Sequence, residues 1–230
     1  HFNGDEIINL LLNTLNKYYV FPEVATEMEK HLKKKLINKE YENIMSSEEF
    51  CKCITDDLQK ISGDKHLKLR YSENERSIDQ RKNEEEQRKD YTLQAKNDNY
   101  GFYKVERLKG NIGYIDIRSF YEPEIAGDTA VNVMNIVSNT EALIFDLRNN
   151  GGGSPLMVAL IISYVFNSEP VHLNNFYSRE DHFISQSWTL PYVPGKRYID
   201  KPVFVLTSGR TFSAAEEFAY NLKNLNRATI

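Results

Sequence analysis

The chain has 230 residues, of which 40% are hydrophobic and 12% aromatic, enough for one large domain or a small module attached to a larger one. Its formal net charge of −4 gives no electrostatic reason to expect nucleic acid or an anionic membrane as a partner. No apolar run approaches the roughly 18–20 residues that span a bilayer, so no transmembrane segment is predicted.

The first part of the chain is predicted to be helical. Apolar residues recur at three- and four-residue steps between Ile8 and Tyr18, which predicts one amphipathic helix. Pro22 interrupts this pattern, and a second helix is predicted over about 23–37. A third is predicted to begin at Ser46, with Glu49 as its capping-box partner. We therefore expect an N-terminal three-helix bundle over residues 1–63.

Two cysteines, Cys51 and Cys53, lie in the third predicted helix. A spacing of two directs them to different helix faces, so we expect no disulfide between them. A zinc site would need further clustered Cys or His ligands, and none is nearby in the sequence. The sequence predicts two half-buried thiols and no metal site, and it gives no indication of the redox compartment.

Residues 64–99 are predicted to form a strand followed by a charged linker. The segment from His66 to Tyr71 alternates as a strand does, with apolar residues at every second position. From Glu73 to Asn99 the chain is almost wholly polar. Such a segment offers too little apolar surface to pack, which predicts a solvated helix or a linker.

From residue 100 onward the sequence predicts alternating strands and helices, with an aromatic loop over 176–198. The predicted strands are 103–108, 112–117, 142–147, one near Val171, 202–207 and 228–230. The predicted helices are 126–137, 155–166 and 213–225. Strand–helix–strand units of this length imply an α/β fold with a mainly parallel sheet covered by helices.

A glycine-rich loop follows the predicted strand 142–147. Gly151, Gly152 and Gly153 permit positive φ angles and present bare backbone N–H groups, which can bind an anion or an oxyanion. The loop lacks the Gly-Lys-Ser/Thr ending of a phosphate-binding P-loop and the spaced glycines of a dinucleotide site. A tight turn without a ligand is the alternative.

A second turn, from Thr207 to Phe218, places Ser213 at the start of the last predicted helix. Ser213 could serve only as an N-cap, with Glu216 completing a capping box. Alternatively, it is a nucleophile at the carboxyl ends of the strands, where open α/β sheets have their sites. The helix N-terminus would then supply the Ala214 N–H to a developing oxyanion.

Together the two loops resemble the active-site pair of the C-terminal processing (tail-specific) serine peptidases. They read Asp-Leu-Arg-Asn-Asn-Gly-Gly-Gly and, about 60 residues later, Thr-Ser-Gly-Arg-Thr-Phe-Ser-Ala-Ala-Glu-Glu. The segments Tyr114–Arg118, Trp188–Pro194 and Tyr18–Pro22 also fit that family. The branch that the chain resembles includes the tricorn protease core and retinoid-binding-protein-like modules.

This resemblance implies a ClpP/crotonase-like α/β catalytic domain over residues 100–230. It also implies a serine endopeptidase that hydrolyses protein or peptide substrates through an acyl-enzyme, without a cofactor or metal. Members of the family suggest an extracytoplasmic location, periplasmic, secreted or membrane-associated, although no signal is visible in this sequence. The family's catalytic domain continues beyond the segment matched here, so we expect the chain to end inside it.

The resemblance assigns roles to individual residues. Ser213 would be the nucleophile, and the glycine loop would supply an oxyanion donor, with Gly152 first and Gly153 next, beside the amide of Ala214. In the tricorn-like branch the general base is a His after the N-terminal helices, which corresponds to His66. The tail-specific branch instead uses a Lys, which would lie beyond the end of this chain. The other histidines are His1, His31, His172 and His182.

Two departures from the family are visible in the sequence. The span between the helical region and the α/β region is too short and polar for a PDZ domain, so we expect none. The tricorn-like branch has a Ser before its base, whereas Lys65 precedes His66 here, which leaves the support of this His undefined. Nothing in the sequence indicates the oligomeric state.

The main alternative is a non-catalytic module on the same fold that binds a retinoid or fatty acid. Aromatic side chains that could line its apolar pocket are Tyr164, Phe166, Phe176, Tyr177, Trp188 and Tyr192. Binding-only modules of this family replace the nucleophile serine, whereas this chain keeps Ser213, which favours the peptidase. A crotonase-like acyl-CoA enzyme is a third possibility, but the two loop motifs do not resemble that family.

Overall fold

The structure is a computed structural model that describes residues 3–72 and 84–230. These residues divide into two compact units. The first unit takes in residues 3–72 together with 177–184, and the second takes in residues 84–176 and 185–230. Each unit has a hydrophobic core of its own.

Three helices form the first unit, as the sequence predicts. They are α1 (Gly4–Tyr18), α2 (Pro22–Ile37) and α3 (Ser47–Ser62). The Asn3 side chain accepts the Glu6 amide at the start of α1, and the Ser46 hydroxyl accepts the Glu49 amide at the start of α3. Their buried faces meet in a core that contains Ile8, Leu12, Met28, Leu32, Phe50, Ile54 and Leu58.

A buried carboxylate links α2 to α3. Asp57 accepts hydrogen bonds from the Lys35 ammonium at 2.9 Å and the Tyr41 hydroxyl at 2.7 Å, and the ring of His31 lies 3.1 Å from its Oδ1. Burial alone would raise the pKa of Asp57, but these donors outweigh it and lower the pKa. His31 is thereby engaged in holding the helices together.

The strand predicted from His66 to Tyr71 is not formed. The backbone of Leu69 bonds instead to the side chain of Thr55 in α3, its N–H donating at 2.9 Å. The side-chain amide of Gln59 donates to the Leu67 carbonyl at 2.9 Å. Because α3 satisfies these backbone groups, the segment follows the helix without needing a neighbouring strand.

The second unit contains a four-stranded sheet with the order β1-β2-β3-β6, and a separate two-stranded sheet, β4-β5, has residues in both units. The strands are β1 (Phe102–Leu108), β2 (Ile112–Ile117), β3 (Ala142–Asp146), β4 (His172–Ser178), β5 (Phe183–Trp188) and β6 (Val203–Leu206). The helices are α4 (Glu84–Asn97), α5 (Pro123–Val137), α6 (Pro155–Ser163) and α7 (Ala214–Asn224). β1 pairs with β2 in antiparallel orientation, whereas β2–β3 and β3–β6 are parallel, which confirms the predicted mainly parallel sheet.

The core of this unit lies where α5, α6 and α7 pack with the sheet. Phe218 of α7 contacts Phe145 of β3 edge-on at 5.1 Å and stacks on Phe120 at 5.7 Å between ring centroids. Helix α6 is apolar almost all round, and Met157 to Ser163 are buried. Because β3 and β6 are parallel neighbours, the loops that follow them, the glycine loop and the loop that leads to Ser213, begin at the same edge of the sheet.

The aromatic loop predicted over 176–198 is wrong in its first half. Residues 172–188 contain the paired strands β4 and β5, whose side chains are mostly exposed. Pro191 and Pro194 lie after β5 and interrupt only the segment that follows it, so they do not prevent strands before residue 188. The strand predicted at 228–230 is reduced to a single bridge between Phe204 and Thr229.

Part of the predicted charged linker forms α4, a helix with almost no apolar face, and the remainder of that prediction (residues 73–83) lies outside the described residues. Cys51 and Cys53 are free, partly buried thiols. No helix of the described ranges has the length and apolarity needed to cross a membrane. The same residues hold no cluster of three or more His, Cys, Asp or Glu side chains suited to a metal.

Candidate active site

The first loop begins at a buried carboxylate at the end of β3. Asp146 accepts hydrogen bonds from the Arg148 amide at 3.0 Å, from the Arg148 guanidinium at 2.6 Å and from the Tyr114 hydroxyl at 2.6 Å. The Arg148 hydrogen bonds outweigh burial and lower the pKa of Asp146 to about 2. Asp146 is therefore ionised at neutral pH and fixes the direction in which the loop leaves the sheet.

Asn150 organises the glycine loop, a role that the sequence analysis missed. Its side chain is fully buried; the amide donates to the Ile117 carbonyl at 3.1 Å, and Oδ1 accepts the Gly152 N–H at 2.8 Å. Its backbone carbonyl accepts the Phe212 N–H at 3.1 Å. Its place directly before the three glycines was a weak signal, because two of these three partners, Ile117 and Phe212, are distant in sequence.

Two glycines of the loop are required by their conformation and surroundings. Gly152 has φ +103, and a Cβ there would lie 2.9 Å from both the Phe212 carbonyl oxygen and the Ser213 Cβ. Gly153 has φ +134, and a Cβ there would overlap the carbonyl oxygen of Phe120. The backbone of Gly152 thus packs directly against the residue predicted to be the nucleophile.

The second loop connects β6 to α7 and is hydrogen-bonded to the first. The Thr211 hydroxyl donates to the Leu147 carbonyl at 2.8 Å, and the Ser208 hydroxyl donates to the Arg148 carbonyl at 2.6 Å. Arg210 reaches the side chain of Asn149 at 3.3 Å. The two loops that the sequence placed at one edge of the sheet therefore lie side by side.

Ser213 adopts a backbone conformation that is unfavourable for any residue with a Cβ. It has φ 55 and ψ −122, is half-buried and immediately precedes α7. Its N–H donates to the Glu216 carboxylate at 2.7 Å, while its carbonyl accepts the amides of Glu216 and Glu217. In its backbone conformation, this serine on a strained strand-to-helix turn resembles a nucleophile elbow.

The backbone N–H groups around Ser213 differ in whether they are free to donate a hydrogen bond to an oxyanion. Gly152, the first choice as oxyanion donor, gives its N–H to Asn150. In the part of the chain that the structure describes, no acceptor is found for the N–H of Gly153 or of Ala214. Ala214 is the first residue of α7, where backbone N–H groups have no partner within the helix.

Glu217 is a second residue that the sequence analysis did not single out. It lies one turn after Ser213 on the same face of α7, and among the described residues its buried Oε1 finds no hydrogen-bond partner. Asn221, one turn further, is bonded to Asn174 of β4 at 3.3 Å. Burial raises the pKa of Glu217 to about 7, so a carboxyl close to the serine is partly protonated at neutral pH.

His66 belongs to the first unit, whereas Ser213, Ala214, Gly152 and Gly153 belong to the second. The His66 side chain is 58% exposed, and its Nδ1 lies 2.9 Å from Oδ1 of Asp64. The structure thus brings four of the five predicted site residues together at one edge of the sheet and gives the fifth a carboxylate partner.

Comparison with known families identifies this chain. The model of peptidase family S41 matches residues 111–230, more than half of the chain. A second model, described as the N-terminal domain of Peptidase_S41 in eukaryotic IRBP, matches residues 3–102. The chain therefore belongs to peptidase family S41, whose members are serine proteases.

Two solved structures show the same fold. A candidate peptidase from Parabacteroides merdae aligns with 99% of this chain and 74% of its own, at 17% identity and a TM-score of 0.60. A lipoprotein from Streptococcus agalactiae aligns with 99% of this chain and 75% of its own, at 17% identity and a TM-score of 0.54. The photosystem II D1 C-terminal processing protease shares 20% identity over 51% of this chain and 29% of its own, with a TM-score of 0.40.

Proposed function

We propose that this protein is a serine endopeptidase of the C-terminal processing type in which Ser213 forms the acyl-enzyme. The observation that carries the proposal is the strained turn at Ser213, packed against Gly152 of the facing loop. A serine that acted only as a helix cap would not need a positive φ angle. Membership of family S41 supports the same reaction.

In the proposed reaction the Ser213 Oγ attacks the carbonyl carbon of the scissile peptide, and its proton passes to Nε2 of His66. The oxyanion receives hydrogen bonds from Ala214 N–H and from the glycine loop. Because Asn150 holds the Gly152 amide, Gly153 becomes the first candidate in the loop and Gly152 the second. The C–N bond then breaks, the amine leaves with the proton from His66, and water hydrolyses the Ser213 ester.

The binding-module alternative has less support. Tyr164 is fully buried and its hydroxyl donates to the Pro194 carbonyl at 2.6 Å, so it belongs to the core rather than to a ligand pocket. Phe166 packs against the same core. The other aromatic residues considered for a pocket are exposed, namely Phe176, Tyr177, Trp188 and Tyr192.

The proposal is tested by labelling the full-length protein with a fluorophosphonate probe and mapping the modified residue by mass spectrometry. We expect the label on Ser213, with no label and no peptide cleavage in Ser213→Ala. Ser208→Ala, in the same loop, is the matched control and should still be labelled. Cleavage by Ser213→Ala at the wild-type rate would refute the assignment. His66→Ala should lower kcat by orders of magnitude; near-normal turnover would transfer the base role to another residue.

A further inference from the structure

The segment that carries His66 is held rigidly at the end of α3. The helix ends at Ser62, and Gly63 has φ 68, the left-handed conformation common at helix C-termini. The Asp64 amide donates to the Ser62 hydroxyl at 3.0 Å, and that hydroxyl donates to the Leu58 carbonyl at 2.9 Å. Asp64 is therefore fixed by the helix before its side chain makes any further contact.

The Asp64 carboxylate binds three donors. Its Oδ1 lies 2.9 Å from the His66 backbone nitrogen and 2.9 Å from the ring Nδ1, while Oδ2 accepts the Tyr19 hydroxyl at 3.2 Å. Burial by itself would raise the pKa of Asp64. The hydrogen bonds from His66 and Tyr19 outweigh it, and the pKa is lowered.

This contact decides which ring nitrogen of His66 carries the proton. A carboxylate can only accept hydrogen bonds, so Nδ1 must be the protonated nitrogen, and the proton-accepting lone pair is on Nε2. That is the tautomer a general base needs, and an adjacent carboxylate also stabilises the imidazolium that forms when the base takes a proton. Lys65, immediately before His66, carries an ammonium group and cannot provide this support.

We propose that Asp64 is the positioning residue of the catalytic base His66, and that Tyr19 in turn orients Asp64. The proposal rests on the function proposed above, because it requires His66 to take the proton of Ser213. It adds a carboxylate and a phenol from the helical unit to the groups on which the reaction depends.

The test uses Asp64→Asn, because asparagine separates the catalytic role from the structural one. Its side-chain oxygen can still accept the His66 N–H, as asparagine and aspartate form the same turn. Only the charge is lost. We expect kcat for a peptide substrate to fall about 100-fold or more, with KM changed less than threefold, and Asp64→Glu to recover at least tenfold of that loss. Tyr19→Phe should lower kcat by a few-fold.

Two comparisons separate this proposal from the proposed function. If His66→Ala is inactive while Asp64→Asn retains more than half of the wild-type kcat, the positioning role is wrong and His66 remains the base. If His66→Ala turns over normally, the base role of His66 and the positioning role of Asp64 are both wrong. If both hold, Asp64→Asn should add no further loss in a His66→Ala background, because the two residues act as a unit.

A second measurement does not depend on turnover. In a Ser213→Ala background, nitrogen chemical shifts of the His66 ring should report the Nδ1–H tautomer when Asp64 is present. Asp64→Ala, which removes the acceptor of the Nδ1–H, should produce a mixture of the two tautomers or the Nε2–H form. An unchanged, single Nδ1–H tautomer in that variant would overturn the proposal.

Discussion

At the scale of single residues, the conformation of Ser213 is the most informative feature of this chain. A residue with a Cβ that is held at φ 55 and ψ −122 costs about 1–3 kcal/mol, and the surrounding structure must impose it. The Glu216 carboxylate on its N–H and the Gly152 backbone against its Cβ provide that constraint.

The strain predicts an unusual order of stability for variants of Ser213. Ser213→Gly should be more stable than Ser213→Ala by about 1 kcal/mol, because glycine adopts this conformation without strain, partly offset by its greater freedom in the unfolded chain. Both variants should be inactive. Urea unfolding of the two proteins measures the difference. A glycine variant less stable than the alanine variant would show that the turn is not strained.

Gly152 is predicted to be intolerant of any side chain, whereas Gly151 is not. A Cβ on Gly152 would lie 2.9 Å from the Phe212 carbonyl oxygen and from the Ser213 Cβ, while a Cβ on Gly151 meets nothing within 4 Å. Gly152→Ala should therefore lower the free energy of unfolding by about 2–3 kcal/mol and abolish fluorophosphonate labelling. Gly151→Ala is the matched control and should leave both near wild type. Equal behaviour of the two variants would contradict the proposed contact between the loops.

At the scale of secondary-structure elements, helix α7 contributes more than the position of its first residue. Glu217 and Asn221 follow Ser213 at four-residue steps and so lie on the same face of the helix. The Asn221 side chain donates a hydrogen bond to the side chain of Asn174 in β4. The buried Oε1 of Glu217 has no hydrogen-bond partner within residues 3–72 and 84–230, which is costly for an ionised carboxylate. The helix therefore holds a group whose charge depends on pH next to the proposed nucleophile.

The raised pKa of Glu217 predicts a pH-dependent stability. Its pKa is about 7 in the folded chain against a usual value of 4.5, so the unfolded state releases the proton first as pH rises. Stability should fall between about pH 4.5 and 7 and stay low above that range, by a total of about 2 kcal/mol after allowance for partial exposure. Glu217→Gln should match wild type at pH 4.5 and exceed it at pH 8, as measured by urea unfolding.

The control for this measurement is Glu124→Gln, which changes an exposed carboxylate in the first turn of α5. It should change the free energy of unfolding by less than about 0.5 kcal/mol, because its side chain is exposed. A difference between Glu217→Gln and wild type that is the same at pH 4.5 and pH 8 would mean that Glu217 does not titrate in this range.

At the scale of the whole molecule, the described residues form two cores that share no residue. The first is built from the three N-terminal helices, and the second from the sheet with α5, α6 and α7. The proposed base and its positioning residue belong to the first unit, and the nucleophile belongs to the second. The proposed reaction therefore requires both units to be folded.

Two separate cores predict two separate responses to destabilisation. Ile54→Ala removes a fully buried side chain of the first core and should cost that unit about 2–4 kcal/mol. Amide hydrogen exchange should accelerate in α1, α2 and α3 and change little in β2 and β3. The matched variant in the second core is Ile115→Ala, in which amide exchange should accelerate in β2 and β3 and change little in α1, α2 and α3. Uniform acceleration across the chain in both variants would show that the units unfold as one.

The sequence by itself determined the features that depend on local pattern. Apolar spacing predicted the helices of both units, and buried apolar runs predicted the parallel strands, because periodicity follows from which face of an element is buried. Three glycines after one strand and Ser213 after another predicted two loops at one edge of the sheet, since parallel strands end together.

Only the tertiary structure decided features whose partners are distant in the chain. The alternating segment 66–71 forms no strand because Thr55 and Gln59 take its backbone hydrogen bonds. Asn150 holds the Gly152 amide through contacts with β2 and with Phe212. The contact of Asp64 with Tyr19, 45 positions away, is likewise invisible to pattern. A hydrogen bond between remote residues leaves no periodic trace in the sequence, so it becomes known only once the fold brings its donor and acceptor together.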